Sequence, residues 1–96
     1  MQENFENSNL YFVASAVSYG SVVERTENRN GRIFFQLNNC PGRVHVLLNG
    51  EITSEAVRDF QHLFHLFNSR CLMLLPTYPN TLKDIKSLLY DRADYR

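Results

Sequence analysis

The chain has no tryptophan, and only two cysteines, three prolines and four glycines among its 96 residues. Two cysteines are too few for a disulfide scaffold. Cys40 and Cys71 are therefore expected to be reduced thiols in a cytoplasmic protein. Four scattered glycines make a phosphate-cradling loop improbable, and no GxSxG or paired-carboxylate motif is present. An excess of one charge is also missing, since ten Lys and Arg balance ten Asp and Glu. That excludes the strongly basic tail of a protein living mainly on phosphate attraction. The longest apolar run, Cys71-Leu72-Met73-Leu74-Leu75, is far too short for a membrane span. Met1 to Asn7 lacks the basic and apolar regions of a secretory signal.

What is present is core material. The hydrophobic fraction is 44%, and seven Phe and five Tyr supply bulky side chains, which excludes a disordered chain. The length predicts one domain over residues 1–96, with an ordered core from about residue 5 to 92.

Leu10, Val13, Ala14 and Val17 recur at helical spacing, with Asn7 or Ser8 as the cap and Gly20 just past the end. A β-hairpin follows. Asn30-Gly31 suits a two-residue turn, but that register sets Arg29 against Arg32. A four-residue loop from Asn28 to Gly31 pairs Glu27 with Arg32 and Val22 with Leu37, so the longer loop is expected. Val22, Ile33, Phe35 and Leu37 would then face the core, and Phe34 the other side. Arg43 to Leu48 reads as a third strand after Cys40-Pro41-Gly42, or as a short helix between Pro41 and Gly50; the strand is taken here.

A second helix is expected from Thr53 as N-cap to about Asn68 or Ser69. Ala56, Phe60, Leu63, Phe64 and Phe67 would form its inner face, and Ile52 would staple against Val57. Cys71 to Leu75 should be extended. Pro76 and Pro79 bracket a turn, and Asn80 or Thr81 starts a last helix with Leu82, Ile85, Leu88 and Leu89 inside. Ala93 to Arg96 should fray. The expected fold is α+β: an N-terminal helix, an antiparallel hairpin with a third strand, and two C-terminal helices packed on one sheet face.

Phe5-Glu6-Asn7-Ser8-Asn9-Leu10, then Gly20, Gly31-Arg32, Ser54-Glu55-Ala56-Val57-Arg58-Asp59-Phe60 and Lys86-Ser87-Leu88-Leu89-Tyr90 follow in an order that resembles a family of short uncharacterised phage and prokaryotic proteins, a domain of unknown function. The likeness runs from about Phe5 to Arg92, with Cys40 to Ile52 looking like an insertion. It implies a phage or mobile-element setting and no known catalytic residues.

Three groups of residues carry the functional candidates. Asp59, His62 and His65 are spaced by three on a helix and could approach a metal ion, but they fan out around the helix and lack a fourth ligand. A solvated polar face is the expectation. Arg25, Arg29, Arg32 and Arg43 give the stretch from Arg25 to Gly50 a charge of +3 against the single acid Glu27. With Phe34 they could contact single-stranded nucleic acid, or they could simply guard a sheet edge. Phe12, Phe34, Leu66, Leu72 and Met73 fall off the inner faces drawn above, so Phe34, Phe12 and Leu66 are the candidates for meeting a partner. Cys71 is expected to be a buried, inert thiol. The sequence thus predicts a non-catalytic binding protein without cofactor: a phage or mobile-element accessory or inhibitor that engages a protein partner or forms a homodimer. Nucleic-acid binding through the arginines is the alternative.

Overall fold

The computed structural model of the protein describes residues 5–94. It is an α+β fold with two small antiparallel sheets and three helices. The first sheet holds β1 (Phe5–Asn7), β2 (Val22–Arg29) and β3 (Arg32–Asn38), with β3 central. The second pairs β4 (Arg43–Leu48) with β5 (Glu51–Ala56). The helices are α1 (Leu10–Ser18), α2 (Phe60–Asn68) and α3 (Tyr78–Asp94). None of them is long and apolar enough to cross a membrane.

Helix α1 is capped one residue later than expected. The Asn9 side chain accepts from the amides of Tyr11 and Phe12, while Asn7 accepts from the Asn9 amide at 2.7 Å. Gly20, at φ +116°, turns the chain out of the helix. Five consecutive residues, Phe12 to Ala16, are buried, because α3 lies against α1 and the rest of the helix faces the core. Of the residues of α1 only Tyr11 is exposed, so little of the helix faces outward. Phe12 is therefore a core residue and not a surface one.

The hairpin takes the register that like charges argued against. Asn30 and Gly31 have φ of 54° and 89°, the positive values of a two-residue hairpin turn, and Arg29 lies opposite Arg32. A straight ladder from that turn would set Glu24 across from the buried Leu37. A bulge between Val23 and Arg25 shifts the phase and brings Val23 there instead. Val22, expected inside, is consequently exposed. The third strand of this sheet is β1, which pairs Phe5 with Leu37 and Asn7 with Phe35.

Residues 43–48 do form a strand, but its partner is β5. Asn49 and Gly50, at φ 52° and 80°, make a second tight turn, and Ile52 and Thr53 suit the strand that returns from it. Thr53 thus caps no helix, and the Ile52–Val57 staple does not form. Helix α2 starts at Phe60, where Asp59 accepts from the His62 amide at 2.8 Å. Helix α3 begins before the expected Asn80, with Pro79 in its first turn, where its missing N–H is not needed. It runs through Asp94, past the Ala93 where fraying was expected; Tyr95 and Arg96 lie outside the described residues. Ile85 is buried, whereas Leu88 faces outward.

The core joins Phe12, Val13, Ala14 and Ala16 to Phe35, Leu37, Val44, Val46, Phe60, Leu63, Leu66, Leu72 and Ile85. Leu66 and Leu72, expected to be surplus, belong to it. Cys71 to Leu75 is extended, as the sequence suggests, and its first part lies beside β4. Val46 faces Leu72, the Leu47 amide donates to the Cys71 carbonyl at 2.8 Å, and the Met73 amide donates to the His45 carbonyl at 2.9 Å.

The return bond between His45 and Met73 is replaced by a phenol. The Tyr19 hydroxyl donates to the Met73 carbonyl and accepts from the His45 amide at 3.4 Å. Burial raises the Tyr19 pKa above its ordinary value, with the His45 hydrogen bond opposing, so the hydroxyl stays protonated and able to donate. Tyr19→Phe should destabilise the fold by about 1–3 kcal/mol, because an amide and a carbonyl lose their partner. Chemical denaturation together with faster hydrogen exchange at the His45 amide checks this; an unchanged midpoint would contradict it.

Candidate functional site

The outer face of the first sheet carries Arg25, Glu27 and Arg29 on β2, Arg32, Phe34 and Gln36 on β3, and Glu6 on β1, as the strand pairing and side-chain alternation require. Arg29 is engaged on three sides. It contacts the Glu6 carboxylate, pairs with Glu27 at 2.9 Å, and sets its guanidinium carbon 4.6 Å from the centre of the Phe34 ring. This resolves the apparent clash with Arg32, since two carboxylates offset the like charge. It also covers Phe34, which is half-buried rather than a bare aromatic. Arg25 and Arg32 are exposed. Arg43 stands on the other sheet, where its Nε donates to the Ser54 hydroxyl at 2.9 Å. The four arginines therefore do not form one patch.

Asp59, His62 and His65 also separate by role. Asp59 is the cap of α2. The His62 ring is mostly buried; its Nδ1 accepts from the Arg58 amide at 3.1 Å, and its Nε2 lies 3.8 Å from Glu55. It holds the approach to α2 rather than lying on a solvated face. His65 is exposed. Among the described residues no three His, Cys, Asp or Glu gather in a way that could hold a metal ion. Cys71, expected to be buried, is half-buried, and its thiol points to the Ser69 carbonyl at 3.8 Å.

The surface that sequence reasoning missed is on the second sheet. Leu47 and Ile52 face each other across the β4–β5 ladder at 48% and 56% exposure, and Leu48 at the turn is 47% exposed. Strand β4 has neighbours on both sides, but among the described residues β5 pairs on one side only. The Asn49-Gly50 dipeptide was the available signal, because a turn there makes 51–56 a strand and turns Ile52 outward. Comparison with family models, curated proteins and solved structures finds no match for the chain.

The Arg29 cluster makes one titration predictable. Its hydrogen bond and charge hold the Glu27 carboxyl below the usual carboxylate range. A carboxylate stabilised in this way supports the fold above its unfolded pKa, and that support is lost as pH falls through the depressed folded value. NMR titration should find Glu27 below an ordinary Glu, and Arg29→Ala should return it to the ordinary range. An unchanged titration in the variant would contradict the pairing.

Proposed function

We propose that this chain is a small non-catalytic binding protein whose binding face is the β4–β5 sheet and whose partner on that face is a second copy of itself. The observation that carries the reading is the open edge of β5. Across the two-residue turn, Glu51 and Leu48 exchange hydrogen bonds, so the amides of Glu51, Thr53 and Glu55 point to β4. Those of Ile52, Ser54 and Ala56 point away, to a flank where no strand of the described residues pairs. Charged side chains are the usual defence of such an edge, and Glu51 and Glu55 restrict what can add there. A second β5 shifted to put Glu51 opposite Glu55, or Glu55 opposite itself, meets like charges. An antiparallel copy centred on Ser54 opposite Ser54 avoids both. It uses all three outward amides and sets Ile52 beside Ala56, extending the Leu47–Ile52 row across the joint.

The accessory role in a phage or mobile element belongs to the same proposal and rests on the resemblance over Phe5 to Arg92 alone. The nucleic-acid reading would fall to Arg25 and Arg32, and the engagement of Arg29 by Glu6 and Glu27 weighs against it.

Sedimentation at rising concentration should show a dimer of the 11.2 kDa chain. Ser54→Pro removes one outward amide while leaving the bonds to β4 intact, so it should yield a monomer. Ser54→Ala loses only the hydroxyl and should still dimerise. A parent chain that stays monomeric at high concentration, or a proline variant that dimerises equally well, would refute the proposal.

A further inference from the structure

On the side of the molecule where α2 ends, Phe67, Asn68, Arg70, Leu72 and Leu74 line an open groove of about 460 Å³. Three features of this groove point the same way. The first is a strand edge that is used only in part. Because the Cys71 carbonyl and the Met73 amide turn to β4, the backbone groups of Leu72 and Leu74 face the other direction. The Leu72 amide confirms it by reaching the Leu66 carbonyl at 3.4 Å. Beyond that bond, the Leu72 carbonyl and both backbone groups of Leu74 make no hydrogen bond among the described residues.

The second feature is charge. Arg70 is exposed, and no acidic side chain of the described residues pairs with it. The third is conformation. Arg70 follows the end of α2 at φ +65°, a left-handed position where glycine or asparagine is usual. A bulky side chain in that region is strained, and such strain concentrates at sites of function. Leu74, 48% exposed, adds an apolar wall beside this cation.

We infer that the groove binds an extended peptide segment of a partner protein in which an acidic side chain alternates with aliphatic ones. The peptide backbone would pair with the Leu72 carbonyl and with Leu74 as an added strand, its aliphatic side chains would lie against Phe67 and Leu74, and its carboxylate would meet Arg70. The groove uses no residue of β5, so this inference stands or falls separately from self-association.

The test uses the full chain and capped peptides alternating Leu and Glu, with Leu/Gln and Leu/Lys counterparts and a Leu/Gln peptide with a free C-terminal carboxylate. The Leu/Glu peptide should shift the NMR amide signals of Arg70, Leu72 and Leu74. Its affinity should exceed that of the Gln, Lys and free-carboxylate peptides by tenfold or more. Arg70→Gly should weaken its binding by a similar factor while raising Tm by roughly 2–5 °C, because glycine relieves the left-handed strain. Leu74→Lys keeps the charge but removes the apolar wall, and should also weaken binding. Equal binding of the Glu and Gln peptides, preference for the free carboxylate, or full binding by Arg70→Gly would overturn the inference.

Discussion

Phe12 is the side chain on which the arrangement turns. It is completely buried, and its ring meets Phe64 edge-on at 4.9 Å, Phe67 at 5.6 Å and Phe5 at 6.0 Å. Phe5 in turn stacks on Phe60 at 5.5 Å. One residue of α1 thereby fixes β1 and α2 relative to each other. Each such aromatic pair adds about 0.5–1.5 kcal/mol beyond its burial. In a domain whose whole stability is expected to be about 5–15 kcal/mol, this cluster is a large fraction. It also explains why three residues of β1 are enough for a strand: Phe5 is held by rings as well as by the ladder.

The other end of α1 performs the matching task for the second sheet. Tyr19 inserts its hydroxyl between His45 and Met73, so α1 is joined to β4 and to the segment after α2 by two hydrogen bonds. Val44, Val46 and Leu72 then cover the core from that side. With β4 committed inward and flanked by Leu72, the hairpin can present only β5 and its outer row to solvent. The open edge is a consequence of how the core is closed.

Much of this was legible in the sequence, and the failures have particular causes. The period of Leu10, Val13, Ala14 and Val17 located α1, and the β-branched run Arg43 to Leu48 located β4. Both hairpin errors came from underrating Asn-Gly. At Asn30-Gly31 the Arg29–Arg32 repulsion looked decisive because nothing in the sequence places Glu6 beside Arg29. At Asn49-Gly50 the apolar spacing Ala56–Phe60–Leu63 was helical enough to pull the helix start back to Thr53. The candidate sites suffered from the same locality. Phe12 and Leu66 looked surplus in a two-layer picture, and only the aromatic cluster shows where they go. Leu47 looked only like part of the Arg43 to Leu48 strand, and Ile52 like a staple before a helix, because their pairing across the turn was not foreseen. Arg70 gave no sequence signal at all, since its meaning lies in a backbone angle and a groove.

The open edge of β5 is the claim on which the functional account rests, and residue-resolved hydrogen exchange tests it most directly. In dilute solution the amides of Glu51, Thr53 and Glu55 should exchange slowly and those of Ile52, Ser54 and Ala56 quickly. Raising the protein concentration should slow the second set and leave the first unchanged. Exchange that shows no alternation along β5, or an alternation indifferent to concentration, would contradict the account.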